Sequence, residues 1–270
     1  MEFFRKIVKS SSLFPFVAVI AAGIFAGHTL LGPGYFNMHD DLQMMRQLEM
    51  EKCFKDFQIP CRWVPDMGYG YGFPLFNFYP PLPYLVGQLF RLVGFSFVDT
   101  AKLTFFVSFV FSGITMYLLS REFWGKLGGV ISAVFYIWAP YHAVDVYVRG
   151  AMNESWALVW FPLILWAGYK FIKNTTRKAG KGKAVFDKWI LILALSWFAL
   201  LTSHNLMVMI FAPVFAAWCL LWLWGEKAWN KIPSLVISGI WGVGLAAFFN
   251  IPVVVEQKLV QIDTLTKGYY

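Results

Sequence analysis

The chain reads as an all-α, polytopic membrane protein of about seven spans, with one large first outer loop that carries surface helices. Three observations predict this. Of its 270 residues, 59% are hydrophobic and 20% aromatic, while only 14% are charged; a water-soluble domain carries about 25% charge. The stretch Leu13 to Leu31 holds 19 residues with no acid or base apart from His28. At about 1.5 Å per residue it reaches roughly 28 Å, the depth of a hydrocarbon core of about 30 Å. Finally, bases and acids sort to opposite ends of the apolar runs. The short alternating segments of a β-barrel are missing from the sequence.

The spans fall at about 13–31, 101–119, 128–145, 156–172, 189–204, 206–224 and 232–252. Before the first lie Arg5, Lys6 and Lys9. The apolar run is longer than a usual signal core, and no small-x-small site leads into a soluble domain, so the start reads as an uncleaved span. A further apolar stretch, Leu82 to Val98, is short, holds Arg91 and follows FYPPLPY. Charge decides its place. Lys170, Lys173, Arg177, Lys178, Lys181, Lys183 and Lys188 crowd one segment, which the positive-inside rule puts in the cytoplasm with the N-terminus. An even number of crossings must separate the two, so 82–98 lies at the outer surface as an interfacial or re-entrant helix.

The whole chain, 1–270, then forms a single membrane domain of the cell membrane with its N-terminus cytoplasmic. Its outer face gathers loop 32–100, the segment Asp145–Ser155, the turn His204–Asn205 and the end after Pro252. The net charge of +8 follows from the cytoplasmic bases and is no nucleic-acid footprint. No internal repeat is seen, and the sequence leaves the oligomeric state open. Cys53 and Cys61 share the outer loop; eight apart with no second pair, they are not a zinc pattern, and disulfide and free thiols both stand open. The sequons at Asn153 and Asn174 carry little weight.

The polar residues of the outer face come in four groups. FNMHDD, from Phe36 to Asp41, follows the Gly-Pro-Gly that ends the first span. A helix is expected near Met38, with Leu42, Met45, Leu48, Phe54 and Phe57 along the membrane surface. His39, Asp40 and Asp41 then have two readings. Acids in a first turn complement the helix dipole, with Asn37 as cap; alternatively Asp40 is a base or metal ligand at the membrane boundary. The second group is APYHAVDVYVRGAMNES, from Ala139. His142, Asp145, Arg149 and Glu154 stand there at a span edge, where ionisable groups are costly unless solvated, paired or used. Asp145 and Arg149 are spaced to pair at i,i+4, and a guanidinium there is also placed to hold a phosphate. The third is His204 and Asn205, in a tight turn. The fourth is Glu256 to Asp263, where a lone glutamate reads as solvated. Aromatics from Tyr69 to Tyr84 suit interfacial anchoring, or a groove for a sugar or prenyl chain.

HDD at 39–41, GFPLFNFYPPLPY at 72–84, APYHAVDVYVRGAMNE at 139–154, TSHN at 202–205 and QIDTLTKGYY at 261–270 together resemble the C-type (GT-C) membrane glycosyltransferases. Within them the chain looks most like the bacterial and archaeal 6-pyruvoyl-tetrahydropterin synthase-related membrane proteins. The pterin label is not chemistry here: such a synthase needs a zinc-histidine cluster in a soluble fold, and the four histidines of this chain lie on or near spans. The resemblance implies a seven-span module and transfer of a sugar from a polyprenyl-phosphate donor on the extracytoplasmic face. It implies Asp40 as the catalytic base, with His39 and Asp41 beside it. Arg149, Glu154, His204, Asn205 and His142 would bind substrate or phosphate. A divalent cation is left open, with Asp40, Glu154 and His204 as candidate ligands. Members of the group are longer, so the chain is expected to be an N-terminal fragment. Rival readings are a lipid or solute transporter (flippase) and a non-catalytic assembly subunit. The mid-span positions hold no charge, which weighs against transport.

Overall fold

The computed structural model describes residues 13–177 and 187–260. Outside them lie the basic flank Arg5, Lys6 and Lys9, the loop bases Lys178, Lys181 and Lys183, the side chains of Asn174 and Arg177, and QIDTLTKGYY. The regular structure is helical. Extended backbone pairs only in one isolated bridge among the described residues, Val64 with Phe73.

In chain order, α1 is Phe14–Gly27, continued by a 3-10 turn to Leu31. The outer loop holds α2 (Gln43–Lys55), α3 (Leu75–Phe78) and α4 (Leu82–Leu92). Then come α5 (Phe97–Ile137), α6 (Pro140–Ala143), a π-helical turn Val144–Arg149, and α7 (Met152–Arg177). The chain continues with α8 (Lys188–Leu201), α9 (Asn205–Gly225), α10 (Ile232–Leu245) and α11 (Ala247–Glu256).

Among the described residues, four helical stretches are long and apolar enough to cross a membrane: Phe14–Leu31, Phe97–Ile137, Met152–Lys173 and Asn205–Gly225. A fifth is counted if Trp229–Leu245 and Ala247–Leu259, bent by 76°, form one broken span. The sequence led us to expect seven, and the differences have local causes. The 41 residues of α5 hold the expected span 101–119 and the first part of 128–145 as two helices that fold back on each other: Ile137 packs on Gly113, and Tyr117 on Gly129. Gly125, at φ 68° and ψ −171°, breaks the helix between them, in a region of backbone space that a side chain disfavours. The rest of 128–145 is not one helix. Pro140 holds Ala139 extended, at φ −55° and ψ 132°, and the chain restarts as α6 and the π-turn. Helix α8 has only 14 residues, about 21 Å. The bend between α10 and α11 follows Gly239, Gly242 and Gly244, which weaken the helix. At 11 residues, α4 is below spanning length.

The helices pack as a sequential array. α1 lies on α5, α5 on α7, α7 on α8 and α8 on α10. Gly23 and Gly27 bring α1 against Val110 and Phe106 of α5, the small-residue contact that lets helices approach closely in lipid. Two apolar cores result. One joins α1, the outer loop, α5 and the start of α7; the other joins α7, α8, α9 and α10. Trp160 packs against both. Only 22% of the α9 stretch is buried. Val208, Phe215 and Trp222 pack partly on the second core, while Met209, Ile210, Val214, Leu221 and Trp224 face outward, a surface too greasy for water and suited to lipid.

Helix α2 is polar on its inner side. Gln43, Arg46, Gln47 and Glu49 are buried together with Met50 and Cys53. Leu42 and Phe57 of the expected surface row are exposed, and Met45, Leu48 and Phe54 are half-buried.

Candidate functional site

The FNMHDD segment does not start a helix. Helix α2 begins at Gln43, with Leu42 before it and no side-chain cap. The expectation that Asn37 caps and His39–Asp41 sit in a first turn is therefore overturned. The segment is instead stitched to the π-turn. The His39 amide donates to the Val148 carbonyl at 3.0 Å and the Asp40 amide to the Arg149 carbonyl at 2.9 Å. Gln43 Nε2 donates to the Gly150 carbonyl at 2.6 Å. Gly150 makes this approach feasible. It sits at φ 65°, and a Cβ there would fall 2.3 Å from Met38 Sδ and 2.7 Å from the Asp40 carbonyl oxygen. A local clash of that size excludes any side chain.

This stitching helps form a cavity of about 340 Å³ lined by His39, Asp40, Tyr79, Arg149, Asn153, Glu154 and His204, with Ala151. The lining comes from four separate parts of the chain. Asp40, Arg149, Glu154 and His204, singled out in the sequence, face one space.

Asp40 is tightly held. Its Oδ2 accepts from Arg46 Nη1 at 2.6 Å, Gln43 Nε2 at 3.2 Å and the Tyr79 hydroxyl at 3.5 Å. Arg46 is largely buried and lies over the Tyr79 ring, 4.3 Å from its centroid. The Tyr84 hydroxyl donates to Gln43 Oε1 at 2.6 Å, which orients the amide that reaches Asp40. Burial raises the phenol pKa of Tyr79, so Tyr79 stays a donor.

Arg149 is shared between two acids. Its Nη1 lies 2.7 Å from Asp145 Oδ1 and 2.7 Å from Glu154 Oε2. The i,i+4 pairing read from the sequence is thus present, with a second carboxylate added. Glu154 also accepts from the Tyr141 hydroxyl. The guanidinium remains 42% exposed, whereas Asp145 is fully buried and its Oδ2 has no partner. Asp145 lies beyond the candidate span that ends at Ile137. Burial, and next the charge of Glu154, push its carboxyl up to about 7.

His204 begins α9, and its Nδ1 accepts the Met207 amide at 3.3 Å. The neutral ring therefore carries its proton on Nε2. Burial lowers its pKa, which favours that neutral form. Asn153 closes the floor. Its buried amide donates to the carbonyls of Pro80 at 2.7 Å and Ser203 at 2.9 Å, tying the outer loop to the α8–α9 turn. Its side chain points inward rather than to a glycan.

Other nominated residues are not brought in. Asp41 is exposed and does not line the cavity. His142 is buried in the first core, against Tyr136 and Phe109. Asn205 opens α9 outside the lining. Asp40, Glu154 and His204 share the cavity, yet among the described residues no three His, Cys, Asp or Glu side chains are grouped to hold a metal ion. Glu256 is not simply solvated; it accepts from Asn77 Nδ2 at 2.7 Å. Cys53 and Cys61 are disulfide-bonded.

Sequence reasoning missed Arg46, Tyr79, Asn153 and Tyr141. Arg46 carried only a weak signal, as the one base in the first two turns of α2. Tyr79 was hidden within an aromatic cluster, and the sequon drew attention to the wrong property of Asn153. The sequence matches no family model and no curated protein.

Proposed function

We propose that the chain is a membrane glycosyltransferase of the GT-C type, using a polyprenyl-phosphate sugar and acting on the extracytoplasmic face. The observation that carries this reading is the convergence of Asp40, Arg149, Glu154 and His204 on one cavity beside helices apolar enough for lipid. In the proposed reaction an acceptor hydroxyl attacks the anomeric carbon and its proton passes to Asp40. The bond from that carbon to the phosphate oxygen breaks, and the electron pair leaves with the lipid phosphate. A single displacement inverts the centre. Arg149 meets the charge growing on the phosphate, and the His204 Nε2–H donates to a phosphate or sugar oxygen. Arg46 and Tyr79 are positioning residues for Asp40. Among the described residues no three His, Cys, Asp or Glu side chains group to hold a metal ion, and these steps use the protein's own side chains alone.

Two features support the finer points. A Cys53–Cys61 disulfide suits an oxidising compartment, in keeping with loop 32–100 outside. The break at Gly125 would let α5 supply two of seven spans. Purified protein in proteoliposomes with a radiolabelled polyprenyl-phosphate sugar and membrane acceptors tests the reading. Asp40→Asn should lower transfer by about 10²–10⁴-fold; unchanged transfer in that variant would sink it. The 76° bend after Leu245 is the one observation favouring transport, and saturable flux without sugar transfer would support that alternative.

A further inference from the structure

A second cavity, of about 690 Å³, lies beside the first, within the size range of small-molecule sites. Its lining is mostly apolar, with Trp63, Phe73 and Phe78 as aromatic walls beside Leu75, Leu259 and Val260; Asn77 and Glu256 are the polar side chains, and Tyr79 stands at its edge. The outer loop builds it. The Val64–Phe73 bridge, with two backbone bonds of 2.8 Å, draws together the segments that carry Trp63 and Phe73. The Trp63 indole packs against the backbone of Gly72, and helix α3 packs on α11. Trp63 and Phe73 remain 51% and 47% exposed, as open aromatic faces rather than core. Among them stands a polar pair, Asn77 Nδ2 to Glu256 Oε2 at 2.7 Å. Asn77 Oδ1 is buried with no partner.

We propose that this cavity binds a glycan, and that, on the glycosyl-transfer reading above, it is the acceptor subsite. Aromatic faces pack on the C–H faces of sugar rings, and an unpartnered acceptor atom beside a carboxylate calls for hydroxyl donors. An isoprenoid or acyl chain would offer Asn77 Oδ1 no donor and would desolvate the Glu256 carboxylate, which is unfavourable. Tyr79 lines both cavities, and its hydroxyl reaches Asp40 Oδ2 at 3.5 Å. A hydroxyl of the bound glycan therefore has one side chain to pass to meet the base.

The test is saturation-transfer NMR on the full chain in phosphatidylcholine nanodiscs, with cellobiose, maltose and α-1,6-mannobiose as probes. At least one should bind saturably. Asn77→Leu and Trp63→Ala should each weaken it about tenfold or more, and Asn77→Asp less. Trp63 is half-exposed, so its variant keeps the measurement valid if Asn77→Leu fails to fold. Absence of binding by all three probes overturns the proposal. So does unchanged binding in Trp63→Ala, or geranylgeraniol binding that is lost in Trp63→Ala while the disaccharides do not compete. Sugar binding that persists while Asp40→Asn retains full transfer refutes the catalytic assignment and leaves the glycan site standing.

Discussion

The Asp40 amide donates to the Arg149 carbonyl at 2.9 Å, so main chain joins the residues proposed as base and anion stabiliser. Their side chains turn to different partners, Asp40 to Arg46 and Arg149 to Asp145 and Glu154. The distance between the two functions is thereby fixed independently of either ion pair.

Gly150→Ala should break that join. The new methyl meets Met38 Sδ and the Asp40 carbonyl, at a φ of 65°. The variant should lose about 1–3 kcal/mol of stability, read as a lower melting temperature in detergent. Met38→Ala added to it should restore little, because the Asp40 carbonyl still blocks the methyl.

Asp40 has a structural role as well as the proposed chemical one, and a double variant separates them. Asp40→Asn leaves the buried Arg46 without its counter-charge and should cost about 1–3 kcal/mol, less than a fully buried pair because the Asp40 side chain is 32% exposed. Arg46→Gln in that background should recover much of the melting temperature. Transfer should stay lost, and recovery of transfer with stability would make Asp40 purely structural.

Anion binding at Arg149 should strengthen as pH falls. The Asp145 carboxyl titrates at about 7, above its unfolded range. Below that pH it is neutral, and Arg149 then faces the Glu154 carboxylate alone. Dimethyl phosphate, whose charge is constant in this range, should bind about three- to tenfold more tightly at pH 6 than at pH 8. Asp145→Asn should flatten the profile, and the same measurements in His39→Gln remove the exposed imidazole on the rim. For stability, the folded chain keeps a proton that the unfolded chain sheds. Stability therefore falls as pH rises from about 4 to about 7, and this trend too should vanish in Asp145→Asn.

Thiol counting checks the outer loop. The denatured, unreduced chain should take one maleimide, at Cys219, and three after reduction. Replacing Cys53 and Cys61 by serine should cost about 2–3 kcal/mol for so short a loop. Three labels without reductant would place free thiols there.

Much of the helical plan was legible because lipid-facing helices announce themselves by long apolar runs. Composition placed the break at Gly125, in the polar gap between the spans read at 101–119 and 128–145, and the end of α8 close to the polar Thr202, Ser203 and His204. It could not locate the break at Ala139, inside an apolar stretch read as one span. At the site, Asp145 and Arg149 were legible as a local i,i+4 pair. Arg46 and Asn153 were not, because their partners come from loop packing: one reaches the extended segment before α2, the other bridges two carbonyls far apart in sequence. The inverted polarity of α2 was missed for a related reason. Its hydrophobic spacing marked a face correctly, but buried hydrogen bonds turned the polar side inward.

Trp160 packs against both apolar cores, and its indole N–H donates to Ser203 Oγ at 2.9 Å. The cavity takes Asp40 and Tyr79 from the first core's side and His204 from the second's. It is therefore a seam between two halves, with Trp160 and Asn153 as its fasteners. Any sliding of one half past the other changes the gap between Asp40 and His204 before it disturbs either core. Substrate affinity should thus register strain at Trp160 earlier than global unfolding does.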